Sequence, residues 1–286
     1  MGGKTVSKVK TKKIIGRIFS LYIPIIVIVV CVLVPFLWAL STSFKTEQEF
    51  NSPTVQYLPE ALNLANYVYV WNQSNFSVYF MNSLFVSFVS VIFIIALCVC
   101  NAYAMSRYRF KGKKVFTMIL LGTQMMPVIL FIIPLFLVFK TVHLIDNLWA
   151  LIIFNIVLQV PFNTLLMRSF VNGIPKEIDE AASIDGAGKV RIMFNILIPM
   201  LIPGIVAVSA FAFIGCWNEF TVAFCFIQTA SKFTIPVGLK FMIGQYSVNY
   251  PALAAGSIIA LVPPIVLFSI IQKHLVAGLS AGAVKG

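Results

Sequence analysis

Six stretches of this sequence run long enough with at most one charge to cross a lipid bilayer, and that feature removes most folds from consideration. The first, Ile18 to Leu40, holds 23 residues and no Asp, Glu, Lys or Arg. A helix of that length, rising about 1.5 Å per residue, covers the roughly 30 Å of bilayer hydrocarbon. Further stretches lie at about Val78–Met105, Val115–Phe139, Asn147–Met167, Ile202–Ile227 and Ala252–Gln272. Hydrocarbon offers no partner for a backbone N–H or C=O, so runs of this length must be helical. The expected fold is therefore an all-α membrane protein with about six transmembrane helices. Pro127, Pro134, Pro263 and Pro264 fall inside spans, where neighbouring helices and polar side chains can satisfy the freed carbonyls.

Composition excludes the soluble alternatives. The chain is 60% hydrophobic and 10% charged, with mean hydropathy +0.96, whereas soluble domains carry about 25% charge. A net charge of +12 suggests nucleic acid until the basic residues are mapped. They sit at the ends of apolar runs, so no nucleic-acid partner is expected. Segments 1–17, 106–114, 168–201 and 273–286 hold six, five, four and two Lys/Arg, against only Lys45, Lys140, Lys232 and Lys240 on the alternate side. Positive residues stay in the cytoplasm, which puts both termini inside. An even number of spans agrees.

The organisation read from this pattern is a basic cytoplasmic segment (1–17), a transmembrane domain (18–275) and a cytoplasmic tail (276–286). The first run exceeds the roughly 7–15 apolar residues of a cleaved signal core, so a retained anchor is expected. Segment 42–77, with Pro53, Pro59, Trp71 and several tyrosines, reads as an ordered outer cap. A second outer loop covers about 228–251. Cys31, Cys98, Cys100, Cys216 and Cys225 all lie in apolar runs without metal or redox spacing, and His143 and His274 are too few for a histidine metal cluster.

The informative segment lies between the fourth and fifth spans. Pro175 suits the first position of a helix, Glu177, Asp179 and Glu180 suit its positive N-terminal pole, and Gly186 can close it in a left-handed conformation. A helix of about 11 residues is expected. Four of the nine acids of the chain fall between Glu177 and Asp185. A membrane-surface anchor would be basic, and the cytoplasmic bilayer face is itself negative. An acidic helix with the small residues Ala181 and Ala182 suits docking against a protein; a solvated loop helix is the plainer alternative.

Glu180-Ala181-Ala182, three residues, Gly186, nine residues and Ile196-Leu197-Ile198-Pro199 resemble the EAA loop of bacterial ABC importer permeases, with Ile198 where Leu is usual. Asn82-Ser83, Ala102-Tyr103-Ala104 running to Arg107 and Phe110-Lys111-Gly112, and Trp217-Asn218-Glu219-Phe220 resemble carbohydrate-importer permeases. The tail Gly278 to Gly286 is similar to that of MalG-type subunits of maltose-class importers. The resemblance implies an ABC type I importer permease fold in the bacterial cell membrane. It also implies a second, MalF-like permease, two copies of an ABC ATPase and an extracytoplasmic solute-binding protein. ATP and Mg would be bound by the ATPases and no cofactor by this chain. Carried over by residue, ATPase coupling falls to Glu180, Ala181, Ala182, Gly186 and Pro199, and tail contacts to Gly282 and Lys285.

Weaker signals are weighed against plainer readings. Gly186-Ala187-Gly188-Lys189 lacks the glycine spacing and the Ser/Thr of a nucleotide loop. Glu219 is the only acid within a span; such groups line pathways or are satisfied by a partner, here Asn218, or form a gate near the outer mouth. Gln124, Asn155 and Gln159 either line a solute path or bond between helices. The implied cargo is a carbohydrate, an oligosaccharide by the maltose-class resemblance. A non-sugar solute such as glycerol phosphate remains open. An ion-driven carrier would show repeats and buried midplane acids, and no catalytic constellation points to a membrane enzyme.

Overall fold

The computed structural model describes residues 21–244 and 247–283, with side chains through 272. The basic segment 1–17 and Lys285 lie outside the described residues. Helices are α1 Ile23–Ser43, α2 Glu47–Phe50, α3 Ala65–Gln73, α4 Phe76–Arg107, α5 Lys113–Gln124, α6 Ile132–Thr141, α7 Leu148–Gly173, α8 Glu177–Ile184, α9 Ile198–Trp217, α10 Thr221–Phe226, α11 Ile235–Phe241 and α12 Tyr250–Ala283. Among the described residues the only β-pairing is an isolated bridge between Ile243 and Val248. Among the described residues five segments are long and apolar enough to cross a membrane, and a sixth span results if the bent pair α5–α6 is one crossing.

That bend is where the expected third span departs from a straight helix. Residues 113–124 and 128–141 meet at 96°. Pro127 has no N–H to give, takes an extended ψ of 125° and is followed by a 3₁₀ turn, Val128–Phe131. A residue before proline is also pushed away from helical geometry, so Met126 and Pro127 together end α5. Pro35, Pro161 and Pro203 sit inside continuous helices instead. Proline in lipid therefore permits a break without compelling one.

The chain forms two compact units. Among the described residues the first comprises 21–74 with 243–244 and 247–259. Within it α1 carries its apolar side chains outward along its length, with none of its core window buried. The segment after α1 is ordered, as expected of a cap. Thr46 and Glu49 form a reciprocal capping box on α2, a pairing that satisfies two otherwise orphaned donors. Asn66 donates to the carbonyls of Ser43 and Lys45 at 2.9 and 2.8 Å, and the Lys45 ammonium lies 4.9 Å from the centre of the Trp38 ring.

The second unit, residues 75–242 with 260–283 among those described, holds the core. Helices α4, α7 and α9 bury Ile94, Cys98, Met167, Val171, Leu201 and Val208 against one another. Lipid is as apolar as leucine, so close van der Waals fit rather than exclusion of water holds such helices together. The fit is tight at Gly215, where a Cβ would overlap the side chain of Gln159. Ser83, Ser87 and Ser90 are buried on one face of α4.

Candidate functional site: the α8 loop

Helix α8 is short and closed at both ends. Ile174 ends α7 in an extended conformation, as the residue before Pro175 should. Lys176 takes the N-cap and the helix opens at Glu177, so Pro175 precedes the helix rather than starting it, and α8 has 8 residues instead of about 11. Glu177, Asp179 and Glu180 occupy the first turn. At the other end Ala187 N–H donates to Ala182 O at 3.0 Å and Gly186 N–H to Ser183 O at 3.1 Å. That pair of bonds is a Schellman closure, and Gly186 adopts the φ of +83° it requires.

The two faces of α8 differ. Ile178 packs on the α4–α7–α9 core and Ala182 is buried. Glu180, Ala181 and Gly186 are exposed, and Ile184 is 87% exposed.

Arg107, the last residue of α4, holds the inner side in place. Its Nε donates to Asp179 Oδ2 at 2.7 Å and its Nη2 to Ile174 O at 3.0 Å, with side-chain exposures of 6% and 14% for Arg107 and Asp179. A charge-assisted, water-shielded pair of this kind is stronger than a surface ion pair. Beside it lies a recess of about 380 Å³ lined by Tyr103, Arg107, Asp179, Glu180, Lys189 and Ile192. Lys189 Nζ sits 5.1 Å from the Tyr108 ring centre. Past the loop the chain enters six π-wound residues, Ile192–Leu197. Pro199, exposed at the start of α9, gives no N–H to the carbonyl four residues back, which fits this local unwinding.

The expected pathway residues lie on α5, on α7 and at the end of α9. Gln124 ends α5 at the break and lines an apolar cavity of about 320 Å³ with Phe131, Phe139, Val157 and Pro161. Asn155 is buried in α7, its Oδ1 without a hydrogen-bond partner. Gln159 packs on Gly215 and accepts from Asn163 through its backbone and side-chain oxygens. Asn218 caps the C-terminus of α9. Glu219 sits at a break in the fifth span, where its carboxylate accepts from Val222 N–H at 2.8 Å and Ala223 N–H at 3.0 Å. The carboxylate therefore caps α10, and the chain breaks between Trp217 and Thr221 rather than running unbroken to Ile227. Gly282 falls on α12, which continues through the expected tail as far as Ala283.

Two pairings had no signal in the sequence. Arg107 and Asp179 stand 72 positions apart. Asp146 accepts from Gln228 N–H, Thr229 N–H and the Thr229 hydroxyl at 2.7–3.0 Å and pairs with Lys232 at 3.0 Å. Partial burial opposes its ionisation, but the bonds from Thr229, Gln228 and Lys232 outweigh it and hold the carboxyl well below the ordinary carboxylate range. Asn82 adds a second tie to this loop, donating to Ser231 O and Phe233 O at 2.9 Å.

Comparison with known proteins agrees with this architecture. Residues 102–281, which include the α8 loop, match the family described as binding-protein-dependent transport system inner membrane component. The chain is 33% identical to the inner membrane ABC transporter permease protein YcjP of Escherichia coli, covering 96% of this chain and 99% of that one. It is 31% identical to the sulfoquinovosyl glycerol transport system permease SmoH of Agrobacterium fabrum, over 89% of each. It is also 31% identical to the galactooligosaccharides transport system permease GanQ of Bacillus subtilis, over 97% and 98%. A chain of a bacterial ABC transporter that imports alginate superimposes with TM-score 0.78 at 24% identity, covering 92% of this chain and 97% of that chain. On the family match and these near full-length relatives, the chain belongs to the binding-protein-dependent transport system inner membrane components, the permease subunits of ABC importers.

Proposed function

We propose that this permease forms half of the pathway for an oligosaccharide, beside a second, MalF-like permease, and is driven by two cytoplasmic ABC ATPases that engage α8. The observation that carries the reading is the two-sided character of α8: one face is tied to the core by Ile178, Ala182 and Asp179, and the other presents Glu180, Ala181 and Ile184 outward. A helix of 8 residues is too short to be stable alone in water, where about 12–15 are needed. Its rigidity comes from the bundle, which suits a lever. In this reading both termini and the α8 loop lie inside the cell, as the distribution of Lys and Arg indicates. Residues 18–275 form the transmembrane domain, 1–17 and 276–286 flank it, and Gly282 and Lys285 touch the ATPases. ATP and Mg bind those partners rather than this chain.

The oligosaccharide assignment is supported by the galactooligosaccharides, arabinooligosaccharides and diacetylchitobiose named for relatives, and the wider carbohydrate class by the sulfoquinovosyl glycerol named for another. Gln124, Asn155, Gln159, Asn218 and Glu219 remain the pathway residues of this proposal, with Glu219 and Gln159 also holding helices. Co-expression with the genes beside its own tests the reading. The tagged chain is expected to retain an ATPase and a second permease, and Glu180→Lys to lose the ATPase while the permease pair stays. Retention of the ATPase by Glu180→Lys at the wild-type level would overturn the role of α8. Solute captured by the companion binding protein identifies the cargo.

A further inference from the structure

The chain itself joins α8 to only two membrane helices, α7 on one side and, through the π-wound turn, α9 on the other. Helix α4 has no covalent connection to it. Yet α4 is the longest helix of the core at 32 residues and packs against both α7 and α9. Ser106 ties α4 to Asn172 near the end of α7 at 2.6 Å, and Tyr108, just past α4, lies against Lys189, but among the described residues the hydrogen bond from α4 to α8 itself comes from one side chain. The Arg107 guanidinium bridges two points at once: the carbonyl of Ile174, where α7 ends, and the carboxylate of Asp179, in the first turn of α8. Nε and Nη2 belong to one rigid plane, so both bonds persist only if Ile174, Asp179 and the end of α4 keep their relative positions. The remaining oxygen, Asp179 Oδ1, is buried without a hydrogen-bond partner, so loss of Arg107 would leave the carboxylate with no donor in a shielded place.

We infer that Arg107 is a positioning residue that clamps α8 to α4, so that displacement of α8 by the ATPase moves a third span along with the two it is joined to by chain. The inference rests on the proposed docking of α8 and specifies how that docking is transmitted. Ile178 and Ala182 hold α8 against the core through apolar contact, which tolerates sliding; the guanidinium fork fixes register.

The test uses the full complex purified from cells co-expressing its partner subunits, with the exposed Cys31, Cys100 and Cys225 replaced by alanine. Single cysteines are placed at Met81, on α4 far from Arg107, and at Ile153, on α7; both positions are exposed in the chain. Maleimide labelling rates are compared without nucleotide and after trapping with Mg-ATP, vanadate and the companion binding protein. Wild type is expected to change rate at both positions. In Arg107→Ala the ATPase stays bound and the Ile153 response persists, but the Met81 response falls about fivefold, a typical coupling loss. Arg107→Lys, which keeps the charge without the planar fork, falls between. If Arg107→Ala does not accumulate, Asp179→Asn carries the same expectation. An unchanged Met81 response, or equal loss at both positions, overturns the clamp while leaving the docking of α8 standing. A wild-type complex that retains no ATPase overturns both.

Discussion

Replacing Gly186 separates a backbone requirement from a contact requirement. Its φ of +83° is left-handed, and a Cβ built there meets nothing within 4 Å. Within the chain, therefore, a side chain at 186 costs only conformational energy. For an ordinary L-residue that cost is about 1–2 kcal/mol. It cannot grow much beyond this, because the helix end can instead surrender its two closing bonds, from Ala187 and Gly186 N–H, each worth roughly 1 kcal/mol net. A loss of 1–2 kcal/mol lowers the ratio of closed to open α8 ends by about 5–30-fold. Asparagine tolerates this region better than alanine, and a β-branched residue fares worst. The assay is retention of the ATPase by the tagged complex at limiting ATPase concentration. Expected retention falls in the order Gly, Asn, Ala, Val. If Asn retains less than Ala, losses scale with side-chain size and Gly186 is required for close approach of a partner. If Ala equals wild type, the left-handed closure does not matter to docking.

Two further perturbations address carboxylates whose hydrogen-bond partners the structure supplies. Glu219→Gln, which keeps one amide oxygen for the Val222 and Ala223 N–H groups, is expected to lower the unfolding temperature in detergent less than Glu219→Ala. The alanine variant leaves two donors of α10 uncapped at about 1–3 kcal/mol; equal shifts would refute the capping role. Asp146 has a lowered native pKa, so its contribution is complete above the unfolded value of about 3.9 and is lost only as pH falls through the native one. Protease resistance of loop 228–234 is therefore expected to be flat between about pH 5 and 8 and lower in Asp146→Asn throughout; a wild-type transition inside that range would contradict the assignment.

The helical character of the spans, their approximate number, and the place of the α8 loop among them were legible in the residues themselves. In hydrocarbon each backbone donor must find its acceptor within the same segment, so a span is a local property and its length and charge suffice to find it. The closure of α8 by Gly186 is local for the same reason, since capping bonds reach only a few residues. Tertiary structure decided the rest. Nothing near Arg107 announces Asp179, 72 positions away, and nothing near Asp146 announces Thr229, 83 away. Pro127 breaks its span while Pro161 does not, a difference no local rule for proline contains. Glu219 looked like a charge within a span and became the cap of α10 where the chain breaks. For the Arg107 and Asp146 pairs the deciding quantity is which polar groups the packed chain brings within about 3 Å of one another, and that distance is set by the assembled bundle rather than by neighbours in the chain.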